Sequence, residues 1–293
     1  ELRREGGEET RLVGSAAAAW FEGGTSVPLA MIVFTIYGLV CLAGNYWVRV
    51  PAVSHVGLSL LAVATMWAMY WLSPTPSPVW AAVVGLEALA LAMAGWGLKW
   101  LESASDTAIV GSGKPVGNAA DGTRRVPATL VEAYRGPMLD VADALAGLTL
   151  AIAAFVLLPH LRSYSYTVWP AVALVSAAGA WLIGAWNRGS VERTWAGSAT
   201  VLLALIHTFV YCLPGWLQQP WLDSVLTHAT LGIAATLACQ LASRTSGETF
   251  RNRLHKILVE PLSQSAGLSS TLALPLLFVN SWEHMLTLSL CLF

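Results

Sequence analysis

Apolar runs of about 18 residues or more, separated by short polar stretches, recur along most of the chain. That length crosses a hydrocarbon core of about 30 Å as an α-helix. The pattern predicts an all-α fold, a polytopic transmembrane helical bundle. Eight spans are expected, at Val27–Gly44, Ala52–Leu72, Val79–Leu101, Asp140–Leu161, Tyr166–Trp186, Trp195–Leu213, Leu222–Ser243 and about Leu262–Val279. A ninth starts near Trp282 and is cut off at the end of the sequence. The short turns SPTPSP and PGWLQQPW suggest that the spans are arranged as helical hairpins, each closed by an aromatic, Pro-bearing turn. Two segments, from Pro78 and from Thr167, align without gaps through Val-Trp and Ala-Val pairs, as internal repeats of a membrane fold would.

This pattern divides the chain into a polar N-terminal tail (residues 1–25), spans one to three (26–101), a polar connection (102–139) and spans four to nine (140–293). The tail has no apolar core behind a basic start, so it does not read as a signal peptide. A chain that begins with Glu and ends inside an apolar run is expected of a processed protein or a fragment of a longer one.

Composition agrees with the pattern. Hydrophobic residues make up 56% of the 293 and charged residues 11%, where a soluble domain carries about 25% charged. The bilayer is therefore the expected solvent and partner, and nothing points to nucleic acid. The four cysteines lie in or at the ends of apolar runs without CxxC spacing, so they read as packing residues.

The positions of the charges say more than the net value of −1. Counting alternate loops, one side holds Arg49, Lys99, Lys114, Arg124, Arg125, Arg135, Arg188, Arg193, Arg244, Arg251, Arg253 and Lys256. The other holds Arg162. The positive-inside rule makes the first side cytoplasmic and puts the N-terminus outside, as expected of a bacterial inner-membrane protein. Tryptophans such as Trp47, Trp71, Trp80, Trp100, Trp186 and Trp221 fall near span ends, where indole rings anchor in the headgroup region and form an aromatic belt.

Candidate chemistry is confined to the few ionisable residues placed inside spans, each costing about 2.5–3.5 kcal/mol at mid-bilayer. Glu87 lies about 12 Å from the outer end of the third span at 1.5 Å per residue, and is a proton- or ion-site candidate. His207 and His228 each lie about 9 Å from the outer ends of their spans, at one common depth. With His160 and His284, also near outer span ends, they form a candidate metal or haem set. Hydrogen-bonded structural histidines are the plainer reading. Asp140 and Asp143 are expected to cap the start of the fourth span. GSGKPVG lacks the frame of a phosphate loop and reads as linker, and RTSGETFRNRLHK is expected to face anionic headgroups.

The phrase LQQPWLDSVLTH is similar, over about a dozen residues, to membrane proteins that handle haem during cytochrome c assembly. There, a Trp-bearing outer segment leads into a helix that starts with a histidine. In this chain the gap from Trp221 to His228 is longer, and the WWD-type signature of that family is absent. Membership is not assigned on that phrase.

Three functional classes follow. The first is an integral membrane subunit or scaffold of a larger assembly, with other membrane subunits as partners and no catalytic chemistry. The second is a transporter or proton-coupled carrier centred on Glu87. The third is a haem-handling or redox membrane protein using His207 and His228, with haem as its cofactor. Few buried polar groups and a strong aromatic belt favour the first.

Overall fold

The structure, a computed structural model, describes residues 26–74, 77–111, 130–157, 167–213, 217–244 and 246–280. The expected polar tail, His160, His284 and the truncated ninth span lie outside the described residues. Among the described residues every regular element is helical, and seven helices are long and apolar enough to cross a membrane. The fold is an all-α bundle, and the protein is a polytopic membrane protein in contact with lipid.

Two compact units divide the chain after Pro76. In the first, α1 (Ser26–Val48) packs along α2 (Pro51–Leu72). The turn between them is built by Asn45, which is fully buried. Its Nδ2 donates to Ser54 Oγ at 2.6 Å, and its Oδ1 accepts from the Val50 backbone at 2.7 Å. Arg49 takes a left-handed φ of 57° to close the turn, and Pro51 opens α2 without wasting a donor. The helices touch at Gly38 and Gly57: a Cβ on Gly38 would sit 2.9 Å from the Gly57 carbonyl. Small residues that admit such backbone contact are the usual means of joining helices in lipid.

The second unit holds the remaining helices. These are α3 (Pro78–Gly111), α4 (Leu130–Leu157), α5 (Trp169–Arg188), α6 (Val191–His207), α7 (Pro220–Arg244), α8 (Glu248–Leu254) and α9 (Glu260–Asn280). One π-helical turn, Thr208–Cys212, extends α6; another, His255–Val259, joins α8 to α9. Helix α5 packs on α3, α4 and α6, and half of its spanning window is buried, 50% against 11% for α1. Its sequence explains this, because Ala173, Ala177, Ala178, Ala180 and Gly184 leave room for neighbours on several sides. A Cβ on Gly85 of α3 would lie 2.9 Å from the Ala173 carbonyl, and one on Gly197 of α6 would lie 2.8 Å from Leu182. Helix α5 then ends at Gly189, whose φ of 73° lets the chain reverse, and Ser190 caps α6 by accepting from the Arg193 backbone.

Three boundaries differ from those expected. Helix α3 runs on to Gly111 and α4 starts at Leu130, so both ends of the expected polar connection are helical. No proline and no glycine precede Gly111 in the segment after Leu101, so nothing there stops the helix when the apolar run ends. Asp140 and Asp143 consequently lie well inside α4 and cap nothing. Helix α9, expected as the eighth span, is not among the seven sufficiently apolar helices, because Gln264 and four serines interrupt it.

Candidate functional site

Helices α6, α7 and α9 meet around His228, which is 4% exposed. Its Nε2 lies 2.9 Å from the Ser198 carbonyl, a group that only accepts, so Nε2 carries the hydrogen. Nδ1, 2.8 Å from Ser269 Oγ, is then the acceptor for that hydroxyl. Ser198 Oγ approaches Nε2 at 3.1 Å and shares a hydrogen with Ser265 Oγ at 2.8 Å. The serines sit at helical spacing: Ser265 and Ser269 are one turn apart on α9 and present one face to the imidazole. Both ring nitrogens are thus engaged by neighbouring helices, and all four side chains are buried.

His207 has other partners. It ends α6 and is 5% exposed, and its Nε2 donates to the Thr167 carbonyl just before α5, at 3.2 Å. The π-helical turn that follows brings Cys212 to the same carbonyl, at 3.4 Å, and stacks Tyr211 5.4 Å from the imidazole. His228 instead bonds at the level of Ser198, nine positions before His207 on α6. At 1.5 Å per residue that places the two imidazoles' α6 contacts about 13 Å apart along the helix. They do not face each other. A shared haem or metal would require His228 to leave its partners and the two imidazoles to close that distance.

Glu87 stands near the middle of the spanning part of α3, half-buried, with its Oε2 enclosed. Among the described residues no group of three or more His, Cys, Asp or Glu side chains converges as a metal site.

The charges converge at one end of this unit. Arg193 donates from Nε to Asp143 at 2.9 Å and from a terminal nitrogen to the same oxygen at 2.7 Å. Arg188 is paired with Asp140 and lies 4.0 Å from Asp143. Arg253 reaches back to the Trp186 carbonyl at 2.8 Å and lies 5.2 Å above the Trp186 ring. Thr194, fully buried, takes up the Ile257 carbonyl of the second π-helical turn at 2.7 Å. Sequence reasoning missed these pairings, whose partners are 48 to 67 residues apart. The alternation of Arg-rich loops was the only signal, and it puts these residues on one side without pairing them.

No family model, curated protein or solved structure matches the chain.

Chemically, the His228 cluster offers neutral hydrogen bonds that are already made, and the Arg–Asp cluster offers charges that neutralise one another where α5 ends and α6 begins. Either arrangement joins helices, and a chain of hydrogen bonds is strengthened by the low dielectric around it. Trp80 is a further departure from expectation: it is 8% exposed and sits inside the unit rather than at its surface.

Proposed function

We propose that the protein is an integral membrane subunit that acts as a helical scaffold within a larger membrane assembly and carries no catalytic step of its own. The observation that carries this reading is the state of His228: both ring nitrogens are committed to α6 and α9. Its partners are hydroxyls and a carbonyl of the two neighbouring helices, all of them buried, so these bonds hold α6, α7 and α9 together. The outer face adds support, with Leu86, Val175, Leu203, Leu237 and Leu272 all exposed and able to meet lipid or neighbouring spans. In this reading the helices pair as hairpins, exposed Trp47, Trp100 and Trp221 anchor at the headgroups, and the Arg-rich end lies in the cytoplasm of a bacterial inner membrane.

The test is extraction of the chain from its native membrane into polymer nanodiscs, followed by mass measurement of the intact particle. Co-extraction with other membrane chains in a fixed ratio is expected. A particle holding this chain alone, in one copy, contradicts the scaffold reading. The second reading is a proton-coupled carrier, favoured by the enclosed Glu87 Oε2 in mid-span. It predicts that proton-driven uptake by reconstituted vesicles is lost in Glu87→Gln.

A further inference from the structure

Helix α8 is held to the second unit by few contacts. Leu254 is its one buried residue, and the other six are exposed. Ahead of it lie Ser246 and Gly247; Gly247 is extended, and a Cβ there would meet open space. Behind it the backbone stays helical through the π-helical turn His255–Val259 and into α9, with His255 and Glu260 both at right-handed helical angles. A segment with one buried side chain, set between a glycine and an irregular turn, opens before the helices around it.

Pro261 and Thr194 together shape that turn. In a regular helix the Pro261 ring would press on the Ile257 carbonyl, four residues back, and proline has no N–H to offer it. The widened turn just ahead removes the conflict: the Glu260 N–H reaches five residues back, to the His255 carbonyl. The Ile257 carbonyl takes its hydrogen from Thr194 of α6. Thr149, Thr200 and Thr208 each donate to the carbonyl four residues back on their own helix, so Thr194 differs from them in reaching across to another.

The exposed side of α8 is fastened to the end of α5. The last carbonyls of a helix have no N–H partner within it. Arg253 supplies one, donating to the Trp186 carbonyl at 2.8 Å and the Asn187 carbonyl at 3.4 Å, with its guanidinium 5.2 Å from the Trp186 ring. Phe250, three residues earlier and on the same face of α8, meets Trp186 edge to face at 5.3 Å. Both side chains are exposed, and both fasten to the same residue.

We propose that α8 is a strap that opens and closes as one unit over the end of α5. It swings on Gly247 and the π-helical turn, Thr194 holds the pivot, and Arg253 and Phe250 form the latch on Trp186. Opening bares the Trp186 and Asn187 carbonyls, the negative end of the α5 dipole, to water and headgroups. The proposal goes beyond the scaffold reading and does not depend on it.

Hydrogen exchange of the full chain in nanodiscs, read by mass spectrometry, tests it. Amides from Phe250 to Lys256 are expected to exchange together, at least about tenfold faster than those of α9 from Gly267 to Leu276. Arg253→Gln should raise the rate about tenfold over the whole strap and leave α9 unchanged, for the loss of a charged hydrogen bond and a cation–π contact. Phe250→Ala should raise it about threefold over the same residues. Both residues are exposed, so neither variant removes a core side chain. Strap amides that exchange no faster than those of α9 in the parent chain, or an Arg253→Gln effect confined to the amides beside residue 253, overturns the proposal.

Discussion

Where α6, α7 and α9 meet, the polar atoms belong to one imidazole, three hydroxyls and a carbonyl, all neutral and all buried. Where α5 ends and α6 begins, beside α4, they belong to two aspartates and two arginines, each with about a fifth to a half of its side chain exposed, from 21% at Asp143 to 45% at Asp140. The difference follows from the cost of charge in lipid. A neutral hydrogen bond inside the bundle loses nothing to water, whereas an ion pair at that depth has a desolvation cost that its Coulomb energy need not repay. At the span ends water and headgroups remain within reach, and ion pairing becomes usable. The two clusters do the same job of joining helices far apart in sequence, and depth decides which chemistry does it.

The comparison breaks most readily at His228. His228→Ala leaves a cavity and strands the Ser198 and Ser269 groups, so unfolding in nanodiscs should show a loss of about 2–4 kcal/mol, the sum of a few interhelical hydrogen bonds and the void. The loss should not change with salt. Arg193→Gln comes next, at about 1–2 kcal/mol, since the pair with Asp143 is part-exposed and lies between the surface and buried limits. Its cost should shrink between about 0.15 and 1 M salt, as the screening length falls from about 8 to 3 Å. An Arg193→Gln penalty indifferent to salt, or a His228→Ala penalty that follows it, would erase the distinction between the clusters. Thr194→Val is the smallest effect, about 1 kcal/mol for one buried hydroxyl bond to the Ile257 carbonyl, and should be felt as earlier opening of the α8–α9 segment in hydrogen exchange.

The spans were legible because lipid demands long apolar runs, and seven of the eight complete ones appear as helices that meet that demand. The pairing of side chains was not. Asp140 and Asp143 looked like caps because the apolar run begins beside them, yet the helix had already begun at Leu130 and their partners lie 48 and 50 residues away. The equal depths assigned to His207 and His228 came from counting residues from the outer ends of their spans, which does not say toward which helix a side chain turns. Helix α7 packs more extensively on α9, and His207 turns to the start of α5. Ser265 and Ser269 carried a usable signal, since two serines one turn apart on a weakly apolar helix imply a polar stripe, and a buried histidine is a fitting partner for it. His160 and His284 lie outside the described residues, so their place in the candidate set rests on the sequence alone.

The central claim is that the intramembrane polar side chains of the second unit hold helices together. A double-mutant cycle on His228→Ala and Ser269→Ala, read as unfolding free energy in nanodiscs, tests it most directly. The account predicts a coupling of about 0.6–1.7 kcal/mol, the range of interhelical hydrogen bonds in membranes. Additive losses, with no coupling between the two sites, would contradict it.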